Sequence, residues 1–253
     1  MQRFVAPPQP GCYMRWIMAT FVLVHGAWHG SWCWKRVRKN LQYAGHDIFT
    51  PTLTGVGERS HLASPDVNLS THIADILNLI QWEELSSIIL CGHSYGGFVI
   101  SGVADRIPDR IRALVYLDAF VPEDGESVFD LVSPEMAAGL RRQAAASGDG
   151  WKVEPISGEV FQVNLDDRAW MNAQCTAHPI ASLEERIRLS GALERVQNAT
   201  HILASGFREG SPFAAAQARA KKRGWKITTV TCGHDVMLDM PEELTTLLLD
   251  HAS

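Results

Sequence analysis

Residues Ser87–Gly97 read SIILCGHSYGG, and they give the clearest indication of the fold. Its first half, Ser87–Cys91, is a short apolar run, typical of a strand that is buried on both faces of a parallel sheet. Its second half holds a G-x-S-x-G pattern centred on Ser94, and a helical pattern follows at once. This order predicts a nucleophile elbow, a sharp turn that lifts the Ser94 hydroxyl clear of the sheet beside a helix N-terminus.

On either side of this stretch, short apolar runs alternate with amphipathic segments. Such alternation is typical of an α/β protein. We therefore predict that residues 18–253 form one α/β domain with a doubly wound, mostly parallel sheet. The segment Leu69–Glu84 shows clear helical spacing, with Ser70 as its expected N-cap. The other predicted strands are Thr20–Val24, Asp47–Thr50, Ile111–Leu117, His201–Ala204 and Lys226–Thr231, and the other predicted helices are Ser31–Tyr43, Phe98–Ile107, Phe213–Arg223 and Pro241–His251.

The alternation stops between about residues 122 and 193, which contain no buried-strand run. Within this segment, the patterns predict helices at Ser133–Ala146 and Leu183–Ser190 and a small hairpin at Trp151–Val163. The segment leaves from the carboxyl end of the strand Ile111–Leu117, the end at which open α/β sheets bind ligands. We therefore predict an inserted, mainly helical lid.

A serine hydroxyl is a weak nucleophile unless a general base takes its proton. The last strand pattern is followed by Gly233-His234 and then by a C-terminal helix. A histidine at this place, later in the chain than the serine, is expected in a triad built on a nucleophile elbow. We therefore predict His234 as the general base; His251, near the C-terminus, is a poor competitor.

Two carboxylates compete for the role of triad acid. Asp118 directly follows the strand Ile111–Leu117 in an apolar sequence, where a carboxylate needs a charged or hydrogen-bonding partner. The alternative, Glu209, lies in the loop GFREG at residues 206–210. We favour Asp118 because an imidazole would supply its partner, whereas Glu209 has the sequence context of a solvated loop residue.

Acyl transfer also needs two hydrogen-bond donors for the oxyanion. One is predicted to be the backbone N–H of Tyr95, the residue after the nucleophile. The other is predicted to be the N–H of Ala27, in the loop after the first strand, where Gly26 lets the backbone turn. We expect His25 to brace this loop by hydrogen bonds rather than to take part in the chemistry.

Composition narrows the class of function. The net charge is −5, which argues against a generic binder of nucleic acid or of anionic membranes. The five cysteines are widely spaced and the ten histidines lack ligand spacing, so we predict no disulfide framework, no metal and no cofactor. Reduced thiols favour a cytoplasmic protein. Residues 1–17 hold three Pro and no long apolar run, which predicts a disordered extension rather than a signal peptide or a membrane span.

Three motifs resemble one branch of the α/β-hydrolase superfamily, which holds plant methylesterases, plant hydroxynitrile lyases and bacterial pyrethroid-type carboxylesterases. They are HGAWHGSWCW (25–34), GHSYGG (92–97) and GHDVML (233–238). The bacterial esterase-like members are the most similar, with stretches such as TPTLTGVGERSHL (50–62) and LVYLDAFVPEDG (114–125). The resemblance implies the α/β-hydrolase fold, with these counterparts of the nucleophile, the base and the two oxyanion amides: Ser94, His234, Ala27 and Tyr95.

The chain departs from this branch in two places. Plant methylesterases carry their acid in the loop that here reads GFREG, without aspartate. One lineage of haloalkane dehalogenases instead places a carboxylate after the strand that Asp118 follows, so the fold accepts that position. Plant hydroxynitrile lyases have a lysine after the catalytic histidine, and its charge holds cyanide. Because Asp235 stands there in this chain, cyanohydrin cleavage is not expected.

Together these residues predict a serine carboxylesterase that hydrolyses a small to medium-sized apolar ester through an acyl-enzyme. Trp28, Phe120 and Met237 are candidates for the substrate pocket, although each could equally belong to the core. The alternatives are an amidase, a lactonase or a lyase with the same triad, or a ligand-binding receptor of this fold. A small-molecule ester is the expected partner; the natural ester and the oligomeric state stay open.

Overall fold

The computed structural model describes residues 18–206 and 211–252. Six strands form one sheet, in which every neighbouring pair is parallel, and two further strands form a small antiparallel sheet. The predicted α/β class and parallel sheet are therefore confirmed. The strands are β1 (Thr20–Val24), β2 (Asp47–Phe49), β3 (Ile88–His93), β4 (Ile111–Leu117), β5 (Lys152–Val153), β6 (His178–Pro179), β7 (Ala199–Ala204) and β8 (Lys226–Val230).

The strand order fixes where a ligand can bind. The large sheet runs β2-β1-β3-β4-β7-β8. From β1 the chain goes to the edge strand β2 and then crosses to β3, on the other side of β1, so the direction of winding reverses between β1 and β3. Open parallel sheets bind ligands at the carboxyl ends of the strands beside such a reversal. The loops that follow β1 and β3 are the ones that carry Ala27 and Ser94.

Helices flank the sheet. The helix begins at Leu69, as predicted, but the predicted N-cap Ser70 is wrong, because the N-cap is Asn68, two residues earlier. There Asn68 accepts a hydrogen bond from the Thr71 N–H at 2.9 Å, and the Thr71 hydroxyl accepts the Asn68 N–H in return, a capping box. The α-helices are α1 (Lys35–Tyr43), α2 (Leu69–Trp82), α3 (Gly96–Arg106), α4 (Val128–Leu131), α5 (Pro134–Ser147), α6 (Leu165–Gln174), α7 (Ala181–Glu184), α8 (Phe213–Lys222), α9 (Val236–Asp239) and α10 (Pro241–Leu249).

The inserted segment, residues 122–198 between β4 and β7, differs in detail from the sequence prediction. The predicted hairpin at Trp151–Val163 is wrong, because β5 pairs with the distant strand β6 and α6 lies between them. The predicted helix Leu183–Ser190 ends early. Its backbone at Ile187 is hydrogen-bonded to residues 125 and 126 at 2.8–2.9 Å, and these bonds replace those of a continued helix.

Within residues 18–206 and 211–252, no helix combines the length and the apolar character that a membrane crossing requires. The core lies on both faces of the sheet, and all six residues of β3 are buried. Two sequence predictions lie outside the described residues: the extension at residues 1–17 and the alternative acid Glu209.

Candidate active site

Ser94 occupies a strained turn at the end of β3. Its φ is +54°, a left-handed value that is uncommon for residues other than glycine. The backbone carbonyl of Ser94 accepts hydrogen bonds from the N–H groups of Gly97 at 3.0 Å and Phe120 at 3.2 Å, which hold the turn closed. Gly97 has no room for a side chain, because a Cβ there would lie 2.1 Å from the Phe120 carbonyl oxygen. The G-x-S-x-G-G sequence therefore folds as the elbow that its context predicts.

Asp118 and His234 meet at the carboxyl edge of the sheet. Asp118 Oδ2 lies 2.6 Å from His234 Nδ1, and both side chains are buried, with exposures of 0% and 2%. Asp118 directly follows β4, also with a left-handed backbone (φ +38°), and its other oxygen accepts the Ala204 N–H at 3.1 Å. The carboxylate is therefore fixed from two sides and aimed at one imidazole nitrogen.

Two opposed effects act on the Asp118 carboxyl. Burial raises its pKa above the usual value, because a charge is less stable away from water. The hydrogen bonds from His234 and from the Ala204 N–H favour the charged form and oppose burial. An anion held in this way stabilises a positive charge on His234, which is the task of the acid in a serine triad.

The loop that carries His234 is enclosed by its neighbours. The His234 N–H donates to the Phe161 carbonyl at 2.9 Å, so the inserted segment fixes the height of the imidazole above the sheet. The Phe213 ring stacks on the imidazole at 4.9 Å with an interplanar angle of 7°. Gly233 has no room for a side chain, because a Cβ there would lie 2.2 Å from the Gln162 carbonyl oxygen. Only glycine lets the chain turn here.

A second buried carboxylate lies next to His234, and sequence reasoning missed its role. Asp235 Oδ2 is 3.2 Å from His29 Nε2, and neither residue is more than 1% exposed. Burial alone would lower the pKa of His29, but attraction and hydrogen bonding to Asp235 outweigh burial and raise it. His93 Nε2 lies 3.1 Å from the His234 carbonyl, which makes His93 a further support. The sequence does contain a signal for these contacts: the second histidine of HGAWHG, His29, and the histidine of GHSYGG, His93.

The predicted oxyanion loop passes close to the nucleophile. A Cβ on Gly26 would lie 2.9 Å from Ser94 Cβ, so a larger residue would push the loop away. His25 accepts the Leu53 N–H on Nε2 at 3.0 Å and therefore carries its proton on Nδ1, which donates to the Gly26 carbonyl at 2.8 Å. Burial lowers the pKa of His25 to about 3, so the ring stays neutral. The hydrogen bonds of His25 are those of a brace. They hold the peptide that contains the Ala27 N–H.

Ser94 and His234 share the wall of one small cavity of about 70 Å³. Phe120 and Trp28 line it, as expected for pocket residues. Met237 does not: it is fully buried in α9 and belongs to the core, so that assignment is corrected. The remaining lining residues are Ala27, Tyr95, Val128, Val132, Met136, Leu140, Ile156, Phe161, Leu183, Pro212 and Phe213.

The described part of the chain contains no group of three His, Cys, Asp or Glu side chains arranged to hold a metal ion. Its four cysteines, Cys33, Cys91, Cys175 and Cys232, are free thiols.

The fold and the elbow define the class of protein. Residues 21–247 match the alpha/beta hydrolase family, and the chain belongs to this family. A carbendazim hydrolyzing esterase from Nocardioides sp. (strain SG-4G) is 48% identical over 235 residues, covering 90% of this chain and 97% of that protein. Putative methylesterase 14, a chloroplastic protein of Arabidopsis thaliana, is 33% identical over 153 residues, covering 58% of this chain and 43% of that protein.

Two solved structures share the fold at lower identity. An extracellular alpha/beta-hydrolase from a Paenibacillus species superposes with a TM-score of 0.81 at 24% identity, covering 92% of this chain and 98% of that one. A pyrethroid hydrolase from Sphingobium faniae JZ-2 superposes with a TM-score of 0.74 at 21% identity, covering 93% and 97%. The similarity extends over almost the whole of both proteins, so the inserted segment does not set this chain apart in overall architecture.

Proposed function

We propose that this chain is a serine esterase that cleaves a carboxylic ester through an acyl-enzyme. The Ser94 hydroxyl attacks the ester carbonyl while His234 takes its proton, and Asp118 orients the imidazolium and stabilises its charge. The backbone N–H groups of Ala27 and Tyr95 hold the oxyanion. His234 then protonates the leaving alcohol and activates a water molecule, which releases the acid.

One observation carries the proposal: the 2.6 Å contact between Asp118 Oδ2 and His234 Nδ1 at the edge of the sheet. A buried carboxylate on Nδ1 leaves Nε2 as the nitrogen for a serine proton. Ser94 and His234 line the same cavity, so a substrate carbonyl placed there meets both. Glu209, the alternative acid, is not needed to complete this arrangement.

The class of reaction has independent support. The Nocardioides relative is an esterase, and it matches this chain over 90% of its length. The lyase alternative is weakened because Asp235 stands where plant hydroxynitrile lyases have a lysine, so this position supplies no positive charge to hold cyanide. An intact nucleophile, base and acid weaken the receptor alternative. An amidase or a lactonase would use the same atoms, so a substrate panel has to separate these reactions from ester hydrolysis.

The cavity indicates the chemistry of the substrate. Among the described residues that line it, those other than Ser94 and His234 are apolar or aromatic, and none of these described residues carries a carboxylate, ammonium or guanidinium group. A neutral, apolar ester would enter without losing the hydration of a charge. The compound named for the Nocardioides relative, carbendazim, is therefore a reasonable test substrate. We further propose a cytoplasmic protein that acts on small molecules and not on nucleic acids or membranes, in keeping with its free thiols and its net charge of −5.

The experiment compares Ser94→Ala with Ser60→Ala, a matched change at an exposed serine outside the cavity. Ser94→Ala should lower kcat on p-nitrophenyl esters by roughly 10³-fold or more, because the nucleophile is lost, whereas Ser60→Ala should match the wild type. A fluorophosphonate probe should label Ser94, located by peptide mapping. Near wild-type turnover by Ser94→Ala, or an adduct on another serine, would contradict the proposal.

The substrate panel should include p-nitrophenyl and methyl aryl esters of increasing acyl length, carbendazim, and matched anilides and lactones. Faster turnover of the esters supports the esterase reading. If anilides or lactones react faster than every ester, the triad stands and the assigned substrate class is wrong.

A further inference from the structure

Trp28, directly after Ala27, has an unusual backbone. Its φ is +65°, and a bulky residue holds this left-handed conformation only where its surroundings fix it. Three hydrogen bonds do so. The Trp28 N–H donates to His178 Nδ1 at 3.3 Å, and the indole N–H donates to the Val153 carbonyl at 3.0 Å. The Trp28 carbonyl accepts the Thr176 N–H at 3.0 Å. All three partners belong to the inserted segment, around β5 and β6.

The hydrogen bonds around His178 determine its tautomer. The Ser182 hydroxyl donates to the Pro179 carbonyl at 2.8 Å, and its oxygen lies 2.7 Å from His178 Nε2. Since the hydroxyl proton is committed to the carbonyl, Nε2 carries a proton and donates to Ser182, and Nδ1 is left as an acceptor. Burial, and then repulsion from neighbouring histidines, hold the pKa of His178 well below its usual range. The ring is therefore neutral and suited to accept the Trp28 N–H.

The peptide between Ala27 and Trp28 is held at both ends. Its N–H is bound by His178, and its carbonyl lies 2.8 Å from Nδ1 of His29, whose other nitrogen contacts Asp235. A planar peptide fixed at N–H and C=O cannot rotate. This fixes one side of Ala27, and the brace from His25 fixes the other. The direction of the Ala27 N–H is thus set by buried histidines.

We propose that His178 is a positioning residue for ester hydrolysis: by accepting the Trp28 N–H, it keeps the oxyanion loop in the conformation that aims the Ala27 N–H at the developing oxyanion. The inference rests on the proposed function, since it takes Ala27 as an oxyanion donor. It gives the inserted segment a part in stabilising the transition state, in addition to covering the cavity.

Two amide variants at this position separate the hydrogen bond from the mere presence of a polar side chain. In His178→Asn, the amide oxygen can take the place of Nδ1 and still accept the Trp28 N–H. In His178→Gln, the longer side chain places its amide near Ser182 and leaves no acceptor beside Trp28. We expect His178→Gln to lower kcat by roughly 10- to 100-fold, because a small misplacement of an oxyanion donor costs that much, with KM little changed. His178→Asn should retain most of the activity.

Inhibition by a pair of matched compounds distinguishes a positioning role of His178 from a merely structural one. An aryl trifluoromethyl ketone accepts the Ser94 oxygen at its carbonyl carbon, the serine proton passes to His234, and the ketone oxygen becomes an oxyanion. The matching carbinol binds without forming that bond. His178→Gln should weaken inhibition by the ketone in parallel with the loss in kcat, and should leave inhibition by the carbinol within about twofold. Thermal melts verify that each variant is folded.

Each outcome decides the proposal. Wild-type kcat and ketone affinity in His178→Gln would overturn it, and so would equal losses in the two amide variants or for the two inhibitors.

If His178→Gln does not fold, Ser182→Ala replaces it. This change frees the ring to carry its proton on Nδ1, which should weaken inhibition by the ketone several-fold and leave inhibition by the carbinol unchanged. A selective loss supports the proposal, and unchanged affinity contradicts it. Failure of the proposed function is distinguishable, because the wild type itself would then leave Ser94 unlabelled by a fluorophosphonate.

Discussion

The sheet edge and the inserted segment meet in the same cavity but contribute different kinds of atoms. The sheet edge brings the hydroxyl, imidazole and carboxylate of the proposed triad and the two proposed oxyanion amides. The inserted segment lines the cavity with apolar side chains: Val128, Val132, Met136, Leu140, Ile156, Phe161 and Leu183. A polar residue of the insertion, His178, does not line the cavity but accepts the backbone N–H of Trp28. We infer that the sheet edge determines the reaction and that the insertion determines which esters fit the cavity.

The largest expected effect tests the sheet edge. We expect Asp118→Asn to lower kcat by roughly 10³- to 10⁴-fold, because an amide keeps the shape of the side chain but cannot stabilise the imidazolium or fix the tautomer of His234. The measurement is kcat on a p-nitrophenyl ester across pH. The matched control is Glu209→Gln, which removes the charge of the alternative acid and should change kcat little. If Glu209→Gln is the inactive variant and Asp118→Asn is active, the acid is wrongly assigned while Ser94 and His234 stand.

The division between the two regions also explains what the sequence could predict. In the sheet, strand Ile111–Leu117 was predicted with its observed bounds, since a buried parallel strand is a local apolar run. The preference for Asp118 followed from the same locality, because a carboxylate directly after such a strand must find a partner. In the insertion, the strand Lys152–Val153 pairs with His178–Pro179. A strand of two residues is too short to show a sequence pattern, so its distant partner could not be predicted. The support of Trp28 by His178 was beyond prediction for the same reason.

A smaller effect is expected from the ion pair behind the catalytic loop. Burial alone would raise the pKa of Asp235, but the charge and hydrogen bond of His29 outweigh burial and lower it well below the usual range. Because the pKa of His29 is raised in the folded state, this group stabilises the fold fully below pH 6.5, and the effect is lost as the pH rises through the raised pKa. Because the pKa of Asp235 is lowered in the folded state, this group stabilises the fold fully above pH 3.8, and the effect is lost as the pH falls through the lowered pKa. Between these limits the pair contributes fully.

Asp235→Asn should therefore lower the free energy of unfolding by roughly 1–3 kcal/mol at about pH 5, where a buried charge loses its partner. The difference from the wild type should shrink above neutral pH, as His29 gives up its proton. Urea unfolding at several pH values measures it. Asp109→Asn, in an exposed ion pair with Arg195, is the control and should cost less than about 1 kcal/mol. A destabilisation by Asp235→Asn that does not change with pH would show that His29 is neutral throughout.

The smallest effect is expected in the insertion, and it bears most directly on the comparison. Leu140, on α5, lines the cavity, whose volume of about 70 Å³ is well below the roughly 300–1,000 Å³ of sites for drug-sized ligands. Leu140→Ala enlarges the space that an acyl chain can occupy. We expect kcat/KM for a p-nitrophenyl octanoate to rise by about 10-fold relative to the acetate, since room for one more methylene in an apolar pocket is worth about 1–3 kcal/mol. The kcat for the acetate should stay within about twofold, because no polar atom at the sheet edge moves.

The matched control is Leu165→Ala, at a 79% exposed leucine at the start of α6, which should leave kcat/KM for both esters unchanged. A fall in acetate kcat comparable with that of Asp118→Asn would mean that the insertion carries part of the chemistry through its apolar wall, and the division between the two regions would not hold.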